Sequence, residues 1–220
     1  MITRREFLWK LNSKDLILPA LLLSQNSIHI LRGNNMRKNF GVKPAVYPMP
    51  VFIIGTYNED GLPNAMNAAW GGISEENQIS ICLDPEHKTA ENILSRKAFT
   101  VSMATVDQVV ACDYVGIVSG NDVKDKMEKS GLHEEKSEFV DAPLFKELPM
   151  AVECKMISFD TKTCCLIGEI INVCADESIL TDGKIDPVKL RPITYDTINK
   201  DYYALGEKVG NAFEDGKKLF

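Results

Sequence analysis

YPMPVFIIGTYNEDGLPNAMNAAW, residues 47–70, decides how the chain is built. Val51, Phe52, Ile53 and Ile54 form a short β-favouring apolar run after a proline-punctuated entry. Asn58-Glu59-Asp60-Gly61 supplies turn chemistry, with Gly61 free to take positive φ. Beyond the turn comes Asn64-Ala65-Met66-Asn67-Ala68-Ala69-Trp70-Gly71-Gly72. Its small residues let a ligand approach the backbone, its two amides offer donors and acceptors, and Trp70 offers a flat face. The stretch reads either as a hairpin with a glycine-rich exit or as a platform for a planar, hydrogen-bonding ligand.

Working outward, residues 78–83 read as a second strand, broken by Asp84-Pro85. A helix then starts around His87-Lys88-Thr89-Ala90-Glu91-Asn92, with Thr89 as the expected N-cap. Such a start presents free N–H groups and a partial positive charge, to which Lys88 adds a full one, so it can hold an anion as well as simply being capped. Residues 98–103 alternate as a strand should. Over 105–117, Val106, Val109, Val110, Tyr114 and Ile117 recur at helical spacing, and Ser119-Gly120 ends that element. Residues 121–129 read as a charged, solvated helical turn or two, and 132–142 as loop. Strands are expected over 151–159 and 165–173, the second nearly continuous in apolar residues and so central, with Gly168 marking a bulge or bend. Five or more short strands with interspersed helices predict a mainly β fold, a small antiparallel barrel.

With 220 residues, 45% of them hydrophobic, the chain can bury one good core. Its formal net charge of −6 is unevenly spread. Residues 1–43 carry eight Lys or Arg against two acids, leaving seventeen against twenty-nine in the rest. An acidic body excludes nucleic acid as the main partner, because neutralising phosphates needs clustered cations. A single bound phosphate needs only a local site.

The six cysteines, Cys82, Cys112, Cys154, Cys164, Cys165 and Cys174, include no CxxC, and His29, His87 and His133 are the only histidines. No zinc or iron–sulfur spacing results. Most of these cysteines sit in strand-like apolar runs and read as core thiols of a reducing cytoplasm. Cys164 and Cys165, being adjacent, cannot both face one side of a strand.

Residues 1–35 have a different character. Thr3-Arg4-Arg5-Glu6-Phe7-Leu8 is similar to a twin-arginine export signal. Lys14 and Asp15 interrupt the apolar region it would need, Pro19 breaks the following run, and no A-x-A-like cleavage site follows. The run is also shorter than the roughly 20 apolar residues a membrane span requires. The expectation is therefore a functional chain, 36–220, opening at Met36, with 1–35 an extension that is disordered or not part of the native protein. The expected location is cytoplasmic, with export as the alternative and no membrane partner.

Six pieces in this order resemble the flavoredoxin branch of the flavin reductase-like family of FMN-binding split barrels. They are Pro48-Met49-Pro50-Val51; Gly61, Asn64, Asn67 and Trp70; His87-Lys88-Thr89 with Asn92-Ile93; Asp113-Tyr114, Gly116-Ile117 and Ser119-Gly120; Ala142-Pro143 with Glu153-Cys154-Lys155; and Gly206-Glu207 with Val209-Gly210. The resemblance implies a split β-barrel that forms a homodimer and holds FMN near the dimer interface. It implies that Asn64, Asn67, Ala68, Ala69 and Trp70 lie along the isoalloxazine ring, and that Lys88, Thr89 and Asn92 lie at the phosphate. It further implies an oxidoreductase of the NAD(P)H:flavin type, passing electrons from NAD(P)H through FMN to a flavin, metal or protein acceptor. A non-enzymatic electron carrier between redox partners is the alternative. No dedicated acid–base residues are implied, because the cofactor carries the redox step. No G-x-G-x-x-G fingerprint occurs, so a nicotinamide would dock only transiently.

Overall fold

The hairpin expected around Asn58–Gly61 forms. β1 (Phe52–Tyr57) pairs antiparallel with β2 (Pro63–Ala68), placing Phe52 opposite Ala68 and Tyr57 opposite Pro63. Gly61 takes φ 79°, and Asn58 Oδ1 accepts from Leu62 N at 2.8 Å, so the turn uses both features its sequence offers. The computed structural model describes residues 36–220, and the expectations for the extension and its twin-arginine pattern lie outside the described residues. The chain divides at Lys43, and residues 36–43 contain neither helix nor strand.

Within Pro44–Phe220 the elements continue as β3 (Gly71–Glu75), β4 (Gln78–Cys82), α1 (Lys88–Arg96), β5 (Ala98–Met103), α2 (Val109–Ile117), α3 (Lys126–Ser130), β6 (Glu134–Lys136) and β7 (Pro143–Phe145). The long strands β8 (Met150–Asp160) and β9 (Cys165–Ala175) follow. The chain then gives β10 (Leu180–Thr181), β11 (Lys184–Ile185), α4 (Pro187–Leu190), β12 (Ile193–Asp196) and β13 (Asp201–Ala204). The main sheet has seven strands in the order β2-β1-β5-β8-β9-β4-β3, each pair antiparallel.

The edges of this sheet are β2 and β3, and only Ala69 and Trp70 separate them along the chain. Three Cα steps reach at most about 11 Å. The sheet must therefore curl until the end of one edge strand meets the start of the other, giving a barrel split between β2 and β3. Gly71 sits at that seam, where a Cβ would come within 2.7 Å of Ser80 O and 3.1 Å of the Phe52 ring.

β1 is buried along its whole length because it supplies two cores. Phe52 and Ile54 point into the curl with Ile79, Ile81, Phe99 and Leu166. Val51 and Ile53 point outward, where Cys112, Val115, Leu148 and Ile193 cover them. Coverage on both faces explains why 51–54 reads as a continuous apolar run instead of alternating.

Gly168 is needed for packing. A Cβ there would lie 2.4 Å from Phe99 Cζ, and the accompanying register shift falls on β8, between Met156 and Ser158. α2 is rotated from the face its spacing suggested. Cys112 and Val115 are buried, whereas Val110 and Ile117 are 81% and 74% exposed. The helix is apolar nearly all round, so its periodicity could not choose a face. The core-thiol reading holds for Cys112 and Cys154, but Cys82 is exposed and Cys164, Cys165 and Cys174 are half-buried. Among the described residues no helix is long and apolar enough to cross a membrane.

Candidate functional site

Where α1 begins, β2 and the segment after α2 close around it. Asn64 of β2 is buried, and its Nδ2 donates to Thr89 Oγ1 at 2.9 Å. Thr89 is not the N-cap; His87 holds that position, and no side chain caps the helix. The Thr89 hydroxyl faces β2 instead, leaving its own proton without a protein acceptor among the described residues. These groups border a recess of about 230 Å³ lined also by Met66, Lys88, Gly120 and Lys126.

Two cations reach this recess, and they are not equivalent. Lys88 Nζ pairs with Glu91 Oε1 at 2.7 Å within α1, a solvent-open pair that an anion can share. Lys126, the first residue of α3, is only 4% exposed, and among the described residues no carboxylate lies within ion-pair distance of its amine. Burial lowers its pKa to about 8. An ammonium largely withdrawn from water with no carboxylate beside it is costly, and an anion in the recess would offset that cost. Sequence reading missed Lys126 by treating 121–129 as a solvated face. The available signal was Val123, Lys126, Met127 and Ser130 at spacings that share one helical face, in which Met127 packs on the outer core.

A second recess of about 350 Å³ adjoins the first, sharing Gly116 and Ile117. Asn67, Ala69, Asp113, Tyr195, Lys200 and Tyr202 complete its lining. Asn67 Nδ2 donates to Cys112 O at 3.1 Å, fixing the amide against α2. The approach is close because residue 116 is glycine; a Cβ there would sit 2.8 Å from Asn67 Cβ. Likewise a Cβ on Gly120 would sit 2.6 Å from Asn64 Oδ1. Tyr202 Oη donates to Asp113 Oδ1 at 2.8 Å, and burial, followed by that bond, pushes the phenol up. Tyr195 and Tyr202 stack at a tilt, with centroids 5.7 Å apart. The result is one cleft with a cationic, hydroxyl-bearing end and an aromatic end.

The residues expected from sequence therefore divide. Asn64, Lys88 and Thr89 meet at the cationic end, while Asn67 and Ala69 line the aromatic end. Ala68 is packed into the barrel core. Asn92 is buried and donates through Nδ2 to Thr56 Oγ1 at 3.0 Å, lining neither recess. Trp70 is 56% exposed and also lines neither. Tyr195, Lys200 and Tyr202 reach the cleft from the β12–β13 hairpin, far along the chain, and Asp113 from α2. No group of three or more His, Cys, Asp and Glu among the described residues is arranged to hold a metal ion.

Comparison with known proteins bears on this cleft. The model of the family described as "Flavin reductase like domain" matches residues 45–198, a span holding the hairpin, both recess walls except Lys200 and Tyr202, and all of the main sheet. The flavoredoxin of Desulfovibrio vulgaris (Miyazaki F) is 40% identical, covering 82% of this chain and 100% of its own, with a TM-score of 0.79. Flavoredoxin from Methanosarcina acetivorans is 27% identical over 86% of this chain and 100% of its own, at a TM-score of 0.73. An FMN-binding domain of a flavin reductase-like enzyme from Shewanella baltica OS155 shares the fold at 24% identity and a TM-score of 0.67, over 74% of this chain and 88% of its own. With the split barrel formed and the family model spanning it from before β1 to beyond β12, the chain belongs to the flavin reductase-like domain family.

Proposed function

We propose that this protein is an FMN-binding oxidoreductase that passes electrons from NAD(P)H through the flavin to a flavin, metal or protein acceptor. One observation carries the reading. The nearly buried Lys126, without an ion-pair partner among the described residues, lines the same recess as Thr89 at one end of a cleft whose other end is aromatic. A phosphate is the chemistry that would relieve that lysine, and a flat ring system is what Tyr195, Tyr202 and the Asn67 amide would flank. The residues present thus fit the group. Lys126, Lys88 and Thr89 would hold the phosphate, with Asn64 fixing the Thr89 side chain from behind. Bound FMN would supply the electron-accepting and electron-donating chemistry, and the chain would position it and exclude water.

A second reading, a carrier that exchanges electrons between protein partners without using a nicotinamide, is supported by the likeness to two flavoredoxins. The test is the absorbance of purified protein loaded with FMN, followed in stopped flow with NADH and NADPH. Bleaching by either supports the enzyme. Bleaching only by a reduced ferredoxin-like donor supports the carrier, and failure to take up FMN at all sinks both. The family resemblance also supports a homodimer, which sedimentation of the purified protein would report directly.

A further inference from the structure

Three of the six cysteines gather where β4 ends and β9 begins. Cys82 closes β4, Cys165 opens β9, and the two are direct cross-strand partners. Leu83 N donates to Cys164 O at 2.9 Å. That bond makes Leu83 and Cys164 a hydrogen-bonded pair, so Cys82 and Cys165 beside them are a non-hydrogen-bonded pair. Partners of this kind have Cα atoms about 4.5 Å apart and side chains leaving the sheet on the same face. A disulfide spans Cα separations of about 4.4–6.8 Å, so the register places these two sulfurs within bonding reach.

The face in question is the outer one. Ile81 and Leu166, each next to one of the two cysteines, are buried in the barrel, whereas Cys82 is exposed and Cys165 half-buried. On the other side of Cys82 the sheet continues to Trp70, whose carbonyl accepts from Cys82 N at 2.7 Å. All six cysteines are free thiols in this structure. The pair lies apart from the cleft lining, so it stands independently of the flavin reading.

We propose that Cys82 and Cys165 are a reversible thiol–disulfide pair, a modification site on the outer face of the barrel whose oxidant is a low-molecular-weight disulfide. Cys82 loses its proton to solvent and attacks the small disulfide, forming a mixed disulfide and releasing one small thiol. Cys165 loses its proton and attacks the Cys82 sulfur, forming the cross-strand S–S bond and releasing the second small thiol. Two protein thiols and one small disulfide thus become one protein disulfide and two small thiols, with two electrons passing to the small molecule. Burial first, and then the neighbouring Cys164 and Cys165 sulfurs, push the Cys82 thiol up, which slows attack without changing the product. Cys164 is a competing thiol near Cys82, but it sits in the turn at φ 59° and pairs across the strands with Leu83, whereas Cys165 is in register with Cys82. An exposed disulfide of this kind is readily reversed.

The test incubates the full chain with graded mixtures of reduced and oxidised glutathione, blocks free thiols with a maleimide, and maps the peptides by mass spectrometry. Wild type and Cys164→Ser should lose two maleimide sites together and yield a Cys82–Cys165 linked peptide that dithiothreitol cleaves. Cys165→Ser should stop at a glutathione adduct on Cys82. The proposal is overturned by the absence of a linked peptide in wild type, by linkage of Cys82 to Cys164, or by an adduct persisting on Cys82 in Cys164→Ser.

Discussion

Asn64 Nδ2 donates to Thr89 Oγ1 at 2.9 Å, tying the edge strand β2 to the first turn of α1. Both groups are buried, so the bond fixes the hydroxyl's oxygen and leaves its proton directed elsewhere. If that proton and the nearby cations meet a phosphate, Lys88→Ala combined with Thr89→Ala should weaken FMN by about ten- to a hundredfold, corresponding to roughly 1.5–3 kcal/mol for a charge-assisted bond. Riboflavin, which lacks the phosphate, should lose little. Fluorescence titration of the apoprotein with both ligands makes the comparison. Equal losses would move the phosphate to another part of the molecule.

Lys126 gives a prediction of opposite sign for stability and binding. Its folded pKa, about 8, lies below the ordinary lysine value of 10.5. Between these values the unfolded chain holds a proton that the folded apoprotein has given up, so apoprotein stability should rise with pH across that window. Below about pH 8 the buried charge is a full cost. Lys126→Met keeps the stem's volume and removes the charge, and should raise apoprotein stability at neutral pH by about 1–3 kcal/mol. The same change should weaken FMN more than riboflavin. Denaturant melts of the apoprotein at several pH values, with a parallel FMN titration, provide the check. A destabilised variant that binds FMN normally would exclude Lys126 from the anion site.

The hairpin, the strands over 78–83 and 98–103, and the long pair β8–β9 were legible because each combines an apolar run with its own turn chemistry. The two ends of the cleft were legible only in part. Asn64, Asn67, Lys88 and Thr89 lie on local patterns, so a sequence reading can find them. Tyr195 and Tyr202 arrive from a hairpin more than a hundred residues further along, and no local signal connects them to Asn67. Trp70 reads as a ring platform because a large aromatic follows two small residues, and the curl of the sheet leaves its side chain on the outer face beside Cys82, outside both recesses. Thr89 was misassigned as a cap because its hydroxyl has two possible partners, and the one from β2 is visible only after folding.

Tyr202 bonded to Asp113 distinguishes the aromatic end from the cationic one. Tyr202→Phe removes one hydrogen bond and leaves the carboxylate to solvent or to a ring substituent. Because the change is remote from Lys126 and Thr89, FMN and riboflavin should weaken by the same factor, about fivefold for about 1 kcal/mol. The phenol is held above its ordinary value of 10.0, so it stays protonated and should contribute no step to flavin binding below that pH. Binding isotherms of both ligands across the pH range test this. A step that appears in wild type and vanishes in Tyr202→Phe would contradict it.

Gly168 tests the barrel itself. It lies opposite Ile79 on one side and Met156 on the other, and its missing side chain is replaced by the Phe99 ring, which fills the curl. Because a Cβ at this position would stand 2.4 Å from Phe99 Cζ, Gly168→Ala must push a fully buried ring. Overpacking of that kind costs about 1–3 kcal/mol. Phe99→Leu, destabilising on its own through lost volume, should make the added methyl at 168 less harmful, so the double variant should be more stable than the sum of the two single losses implies. Urea melts of the four proteins give the coupling. Additive losses would mean that Phe99 and Gly168 do not share the space that the curled sheet assigns them.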